Sequence, residues 1–108
     1  MKKSVYVVIP AYNEEKSIDV VVKGLNDSGY ENIVVVDDGS KDNTSSVAKK
    51  AGAVVLQHFM NRGQGAALKT GIDAAVSLGA DIIVTFDADG QHQAKDIVGL
   101  VGPVEKGE

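Results

Sequence analysis

Short apolar runs alternate with amphipathic stretches along this chain, and that alternation constrains the fold more than any other feature. Four runs are continuous and mostly β-branched, which is typical of strands buried on both faces of a parallel sheet; they are Val5–Ile9, Ile33–Val36, Ala53–Leu56 and Ile82–Phe86. Strands that alternate with helices over short connections predict parallel βαβ units. The predicted fold class is α/β, a Rossmann-like three-layer α/β/α sandwich with a mostly parallel sheet.

The stretches between the strands carry apolar residues at helical spacing. In the first, Asn13 is the predicted N-cap and the helix stops near residues 28–29. In the second, Asp42 or Asn43 is predicted to cap a short helix. The third helix is predicted from Ala66 to Leu78, after a glycine-rich loop at residues 61–65, and a last helix from Ala94 to Val101. Nothing folded is expected after the polar stretch at residues 102–108.

Composition excludes several classes of function. The 108 residues suit one domain, and a net charge of −4 argues against nucleic acid as a partner. The chain has no cysteine, which excludes disulfides and thiolate metal sites and fits a reducing cytoplasm. No apolar run approaches the roughly 20 residues of a membrane span. A cytoplasmic location is therefore expected.

The fourth strand ends abruptly in two carboxylates, Asp87 and Asp89. Residues two apart at the end of a strand point the same way, so these side chains can converge. Converging carboxylates repel each other unless a cation lies between them. A solvated loop with acidic turn residues is the alternative interpretation, because Asp and Gly are favoured in turns.

Other polar residues follow the first two strands at the same predicted edge. Ligands of such sheets bind beyond the carboxyl ends of the strands. The residues that the three strands place there are Pro10, Tyr12, Asn13, Glu14, Asp37, Asp38, Ser40, Asp87, Asp89 and Gln91. A phosphate ligand at this acidic edge needs a divalent cation, and oxygen ligands suit Mg²⁺ or Mn²⁺. If the second strand lies beside the first, Asp37 and Asp38 can accept N–H groups of a base.

The sequence does not support a Ser/His/Asp catalytic triad at either of its two histidines. His58 follows the third strand and is predicted to be a surface or packing residue. His92 follows the acidic pair, and both a role in the site and a purely structural role stay open.

Four motifs together resemble the family 2 glycosyltransferases, most closely the dolichol- and polyprenyl-phosphate sugar transferases. They are Ile9-Pro10-Ala11-Tyr12-Asn13-Glu14-Glu15, Val35-Val36-Asp37-Asp38-Gly39-Ser40, Asn61-Arg62-Gly63-x-Gly65-x-Ala67-Leu68 and Asp87-Ala88-Asp89-Gly90-Gln91-His92. The resemblance implies a GT-A fold, a nucleotide-diphosphate sugar donor and Mg²⁺ or Mn²⁺. It also implies that the nucleoside is held by Pro10, Tyr12, Glu14, Val36 and Asp38. By the same resemblance, Asp87, Ala88 and Asp89 meet the diphosphate and sugar, Asp87 and Asp89 are catalytic, and Asp89 and Gln91 bind the metal.

The resemblance implies sugar transfer from a GDP- or UDP-linked donor to an acceptor, expected to be a polyprenyl or dolichyl phosphate at the cytosolic face of a membrane. Family members continue well past the Asp-x-Asp motif. Residues 1–108 are therefore expected to be the donor-binding part, truncated before the acceptor half and inactive alone. A sheet without its later strands also exposes an edge, which predicts possible homo-oligomers.

Two other classes compete with this interpretation. Haloacid-dehalogenase-like phosphotransferases use an Asp-x-Asp whose first residue, here Asp87, is a nucleophile. That family places Thr or Val where this chain has Gln91, and it places the motif on its first strand. A non-catalytic nucleotide-binding or regulatory module, with an acidic pocket like that of a receiver domain, is the other alternative.

Overall fold

The computed structural model describes residues 3–89 and 100–103 of the chain. Its elements, in chain order, are β1 (Val5–Ala11), α1 (Ile18–Asp27), β2 (Asn32–Asp37), α2 (Thr44–Lys50), β3 (Val54–Gln57), α3 (Gln64–Ser77), β4 (Ile82–Thr85) and β5 (Leu100–Pro103). The sheet order is β3-β2-β1-β4-β5. The first four strands are parallel to their neighbours, and β5 is antiparallel to β4. The mostly parallel sheet is confirmed.

Helices cover both faces of this sheet. On one face, Ile18 and Leu25 of α1 lie fully buried against Val7 and Val35 of the sheet, in a core that Ala48 of α2 joins. Complete burial of such a side chain contributes about 1.5–3 kcal/mol. On the other face, α3 packs on the alternate side chains of β1 and β2, with Ala67, Ala75, Val8, Val34 and Val36 all fully buried. The predicted three-layer sandwich is confirmed.

The approach of α3 to the sheet depends on a residue without a side chain. A Cβ added at Gly71 would lie 2.3 Å from Cγ1 of Val8 and 3.0 Å from Cγ2 of Val36. Glycine therefore lets the helix lie closer to the central strands than any other residue would. This contact sets the distance between α3 and the sheet, and the N-terminal end of the same helix forms part of the site described below.

Some predicted boundaries were wrong. The helix predicted to reach Val101 does not, because Leu100–Pro103 pairs with β4 as a strand; residues 94–99 lie outside the described residues. Helix α1 starts at Ile18, with Ser17 as its N-cap, and Asn13 instead has a φ of 54° in the preceding loop. Strand β1 also continues through Pro10. Pro10 lies opposite Val36 of β2, but its nitrogen, like the carbonyl of Val8, faces the β4 side of the strand. Pairing with β4 has already ended at Val8, so the missing N–H of proline interrupts no ladder.

Candidate functional site

A cleft of about 400 Å³ opens at the carboxyl edge of the sheet. That volume is within the usual range for small-molecule sites. The end of β1, the loops after β1, β2, β3 and β4 and the first turn of α3 supply its lining, which comprises Pro10, Ala11, Tyr12, Glu14, Asp38, Asn61, Gly63, Gln64, Ala67, Asp87, Ala88 and Asp89. The predicted convergence of Glu14, Asp38, Asp87 and Asp89 on one edge of the sheet is therefore confirmed.

Side chains tie the loop after β1 to the loop after β2. The Asn13 N–H donates to Oγ of Ser40 at 2.7 Å, and Oδ1 of Asn13 accepts the Lys41 N–H at 2.9 Å. The Glu14 N–H donates to Oγ1 of Thr44, a fully buried side chain, at 2.8 Å. The wall that carries Tyr12 and Glu14 is thus held by side chains of the neighbouring loop, which explains why Asn13 serves as a bridge and not as a cap.

Asp42 supports the same loop pair. Burial alone would raise the pKa of Asp42, but hydrogen bonds from the hydroxyl and N–H of Thr44 and from the N–H of Glu15 outweigh that effect and lower the pKa. The Asp42 carboxylate therefore stays ionised and orders the start of α2. Helix α2 begins at Thr44 with Asn43 as its N-cap.

The two aspartates that end β2 have different roles, because successive side chains leave a strand on opposite sides. Asp37 is buried and accepts hydrogen bonds from the Ser40 N–H at 2.8 Å and from Oγ of Ser45 in α2. It does not line the cleft, whereas Asp38 does. Strand β2 does lie beside β1 as predicted, but of the two aspartates Asp38 lines the cleft and Asp37 does not.

Asp38 anchors the glycine-rich loop that precedes α3. Its Oδ1 lies 2.7 Å from Nδ1 of His58 and accepts the Arg62 N–H at 2.9 Å, while Oδ2 accepts the Gly63 N–H at 2.8 Å. Burial alone would raise the pKa of Asp38. The hydrogen bond with His58, the two backbone N–H groups and the nearby imidazole outweigh it and lower that pKa. The carboxylate is therefore ionised at neutral pH.

Gly39, just after β2, allows the glycine-rich loop to pack closely against the backbone at this point. Its φ is +78°, and an added Cβ would lie 2.5 Å from the backbone nitrogen of Asn61. A side chain here would both strain the backbone and displace the loop. The position of Asn61 at the cleft consequently depends on glycine at position 39.

The loop after β4 brings the Asp-x-Asp motif to the opposite wall. Ala88 is buried, and its carbonyl oxygen accepts the Ser17 hydroxyl at 2.7 Å. Asp87 is half-buried and Asp89 is exposed, and both line the cleft. Gln91, which the resemblance implies is a metal ligand, and His92, for which a site role stayed open, lie outside the described residues.

The donor set at this wall suits a hard divalent cation. Asp87 and Asp89 supply carboxylate oxygens, which Mg²⁺ and Mn²⁺ prefer. Among residues 3–89 and 100–103, no group of three or more His, Cys, Asp or Glu side chains forms a complete metal cage. Magnesium is commonly held by one or two carboxylates together with substrate phosphates and water, so the two carboxylates fit such an ion.

The remaining predicted residues lie in different places. Pro10, Tyr12 and Glu14 line the cleft, and Tyr12 as a whole is 41% exposed. Val36 is fully buried in the core and does not line the cleft.

Sequence reasoning missed the contribution of the loop after β3. Asn61, Gly63, Gln64 and Ala67 line the cleft, and His58, predicted to be a surface or packing residue, bonds to a cleft-lining carboxylate. The place of this loop in the sequence could have revealed its role. It follows the carboxyl end of a third parallel strand and so lies at the same edge of the sheet.

Within the part of the chain that the structure describes, no helix combines the length and the apolar character that crossing a membrane requires.

Comparison with known proteins gives a consistent result. The family described as "Glycosyl transferase family 2" matches residues 6–108. The chain is 44% identical to the UDP-N-acetylglucosamine–dolichyl-phosphate N-acetylglucosaminyltransferase of Methanococcus voltae, over 94% of this chain and 47% of that protein. It is 32% identical to the polyprenol monophosphomannose synthase of Mycolicibacterium smegmatis, over 94% of this chain and 41% of that protein.

A solved structure shares the fold. The glucosyl-3-phosphoglycerate synthase of Mycobacterium tuberculosis, in complex with Mn²⁺, UDP-glucose and phosphoglyceric acid, superposes with a TM-score of 0.66 and 28% identity. The match covers 80% of this chain and 33% of that chain. This chain thus spans less than half the length of each of the three proteins.

Proposed function

This chain belongs to glycosyl transferase family 2, and we propose on that basis that its cleft binds a nucleotide-diphosphate sugar as the donor of a sugar-transfer reaction. The fold is the nucleotide-binding half of a GT-A architecture, with the cleft at the carboxyl edge of its parallel strands. The single observation that carries the proposal is the convergence of Tyr12, Asp38, Asp87 and Asp89 on that cleft.

Each wall of the cleft suits one part of the donor. Tyr12 offers a partly exposed aromatic face on which a base can stack, and Asp38 is an ionised acceptor for a base N–H. Pro10, Glu14 and the backbone near Val36 complete the proposed nucleoside subsite. Asp87, Ala88 and Asp89, on the opposite wall, are assigned to the diphosphate and sugar.

Asp89 and Gln91 are the proposed protein ligands of a Mg²⁺ or Mn²⁺ ion. When bound, this ion supplies Lewis-acid stabilisation of the charge on the departing diphosphate. Without a cation, the negative charge of the carboxylates would repel the diphosphate of the donor. Their proposed role is to hold a cation that offsets this repulsion.

The proposed reaction of the intact protein transfers the sugar to a polyprenyl or dolichyl phosphate. A phosphate oxygen of the acceptor forms the new bond to the anomeric carbon. The bond from that carbon to the donor diphosphate breaks, and its electron pair leaves with the nucleoside diphosphate. An acceptor phosphate is already anionic and needs little help from a general base, in contrast to a sugar hydroxyl. The names of the M. voltae and M. smegmatis relatives, which include dolichyl phosphate and a polyprenol, support this acceptor class.

Because this chain spans less than half the length of these relatives, we propose that it binds donor and metal on its own without turnover. The intact protein is proposed to work at the cytosolic face of a membrane. Self-association through the edge strand β3, where Val54 is half-exposed, stays a prediction.

Calorimetric titration with UDP and GDP, each with and without Mn²⁺, tests the donor site. We expect binding that depends on Mn²⁺ and that weakens about tenfold or more in Asp89→Asn, because one charged ligand is lost. Asp73→Asn removes an exposed carboxylate on α3 that pairs with Lys69, and is the matched control. Affinity that ignores both the metal and the Asp89 substitution would contradict the proposal and favour a metal-independent regulatory module.

A further inference from the structure

The hydrogen-bonding capacity of the Asp38 carboxylate is already nearly saturated by groups of the protein itself. Among the described residues it has three N–H partners, two on Oδ1 (His58 Nδ1 and the Arg62 N–H) and one on Oδ2 (the Gly63 N–H). An ionised carboxylate offers about four lone-pair positions, two on each oxygen. Oδ1 is therefore fully used, and Oδ2 keeps one position.

His58 is locked in the orientation that produces this saturation. Its Nε2 lies 2.8 Å from Oγ1 of Thr70 in α3, and its side chain is only 11% exposed. An ionised carboxylate has no proton to give, so Nδ1 must be the donor towards Asp38. The hydroxyl of Thr70 holds the other side of the ring, which keeps the imidazole from turning away.

We propose that this saturation makes the cleft select a donor whose base presents a single N–H, as uracil does, over guanine, and that His58 is the residue that sets this specificity. The inference rests on the proposed donor site. Guanine presents two adjacent donors, N1–H and N2–H, and needs two free acceptor oxygens side by side. Of the two oxygens of Asp38 only Oδ2 has a position left, so this carboxylate cannot accept both guanine N–H groups side by side, and losing one bond of the pair is costly.

The rest of the cleft is consistent with a uracil edge. Uracil flanks its N3–H with two carbonyl oxygens, and these need donors. Asn61 and Gln64 line the cleft and carry side-chain amide N–H groups. Stacking on Tyr12 is available to both bases, so the discrimination depends on the hydrogen bonds of Asp38.

Titration of the full chain with UDP and GDP in the presence of Mn²⁺ tests the selection. We expect UDP to bind at least about tenfold more tightly than GDP, because an unsatisfied buried N–H costs this much or more. UDP methylated at N3 has lost the single N–H, and it is expected to bind at least about tenfold more weakly than UDP. That comparison needs no variant protein and so does not depend on the folding of one.

Two substitutions test the role of His58. His58→Leu removes the Nδ1 donor and frees a position on Oδ1, so the ratio of UDP to GDP affinity is expected to fall to about threefold or less. His58→Asn keeps an amide N–H donor and is expected to preserve the wild-type ratio. A purely structural role would weaken both nucleotides equally and leave the ratio unchanged. Thermal unfolding of each variant confirms that the samples are folded.

The outcomes separate this inference from the proposed function. Equal affinities for UDP and GDP, or tighter binding of GDP, would overturn the selection while leaving the donor site in place. An unchanged ratio in folded His58→Leu would overturn the role of His58. If neither nucleotide binds, the proposed donor site is wrong, and the inference that depends on it is wrong as well.

Discussion

The hydroxyl of Ser17 donates a hydrogen bond to the carbonyl oxygen of Ala88 at a distance of 2.7 Å, across 71 residues of sequence. The same oxygen atom of Ser17 lies 3.0 Å from Oε1 of Glu14. Ser17 is the N-cap of α1, and Ala88 is the centre of the Asp-x-Asp motif. One small side chain thus joins the two walls of the cleft.

Ser17→Ala is expected to loosen the wall that carries the acidic motif. The loss of one hydrogen bond to a buried carbonyl should lower the free energy of unfolding by about 1 kcal/mol. Because Ala88 positions the carboxylates on either side of it, UDP affinity with Mn²⁺ should fall about two- to tenfold. Urea unfolding and calorimetry measure the two effects. Ser46→Ala removes an exposed hydroxyl on α2 and should leave nucleotide affinity unchanged.

Thr44→Val tests the link between the loops after β1 and β2. Valine keeps the shape of the fully buried side chain but leaves the Glu14 N–H without its acceptor. We expect a loss of about 1–3 kcal/mol in the free energy of unfolding, measured by urea titration. Equal stability of Thr44→Val and the wild type would mean that this N–H finds another partner, and that the loops are not joined through Thr44.

Gly71→Ala tests the close approach of α3 to the sheet. The new methyl group would lie within 2.3 Å of Val8, so the helix must shift, at a cost of about 1–3 kcal/mol in unfolding free energy. Gly65→Ala is the matched control in the same helix. An added Cβ at Gly65 meets nothing within 4 Å, and alanine there should stabilise the protein by up to about 1 kcal/mol.

The lowered pKa of Asp38 predicts how the stability of the fold depends on pH. The Asp38 pKa is lower in the folded chain than the ordinary aspartate value of 3.8. The carboxylate therefore stabilises the fold fully above that value, and the contribution is lost as the pH falls below about 3.8 through the lowered folded-state pKa. Asp38→Asn should be less stable at pH 7 and should lose less stability between pH 5 and about pH 2 than the wild type.

Chemical denaturation at a series of pH values measures this difference. Asp73→Asn changes an exposed carboxylate of a surface ion pair, and its pH profile should follow that of the wild type. Parallel pH profiles of the free energy of unfolding for Asp38→Asn and the wild type would show that Asp38 does not contribute the predicted acid sensitivity. Asp42, whose pKa is also lowered, contributes with the same sign and leaves some acid sensitivity in every variant.

The layered α/β fold could be predicted because its determinants are local. Runs such as Val34–Val36 are apolar at every position, which suits only a strand covered on both faces, and the stripe of α1 from Ile18 to Leu25 matches the helical period. The edge at which the carboxylates meet was predictable too, because parallel strands all end on the same side. The last predicted helix was wrong where Leu100–Pro103 pairs with β4, since strand pairing depends on a distant partner.

The sequence by itself therefore determined the sheet, its covering helices and the meeting of Glu14, Asp38, Asp87 and Asp89 in one cleft. Only the tertiary structure decided what each polar group does there. It turned Asp37 towards α2 and Asp38 towards the cleft, and it brought His58 and the glycine-rich loop onto the same carboxylate. The physical reason is that hydrophobic periodicity reports which face of an element is buried, whereas hydrogen-bond partners are set by loops that meet only after the chain has folded.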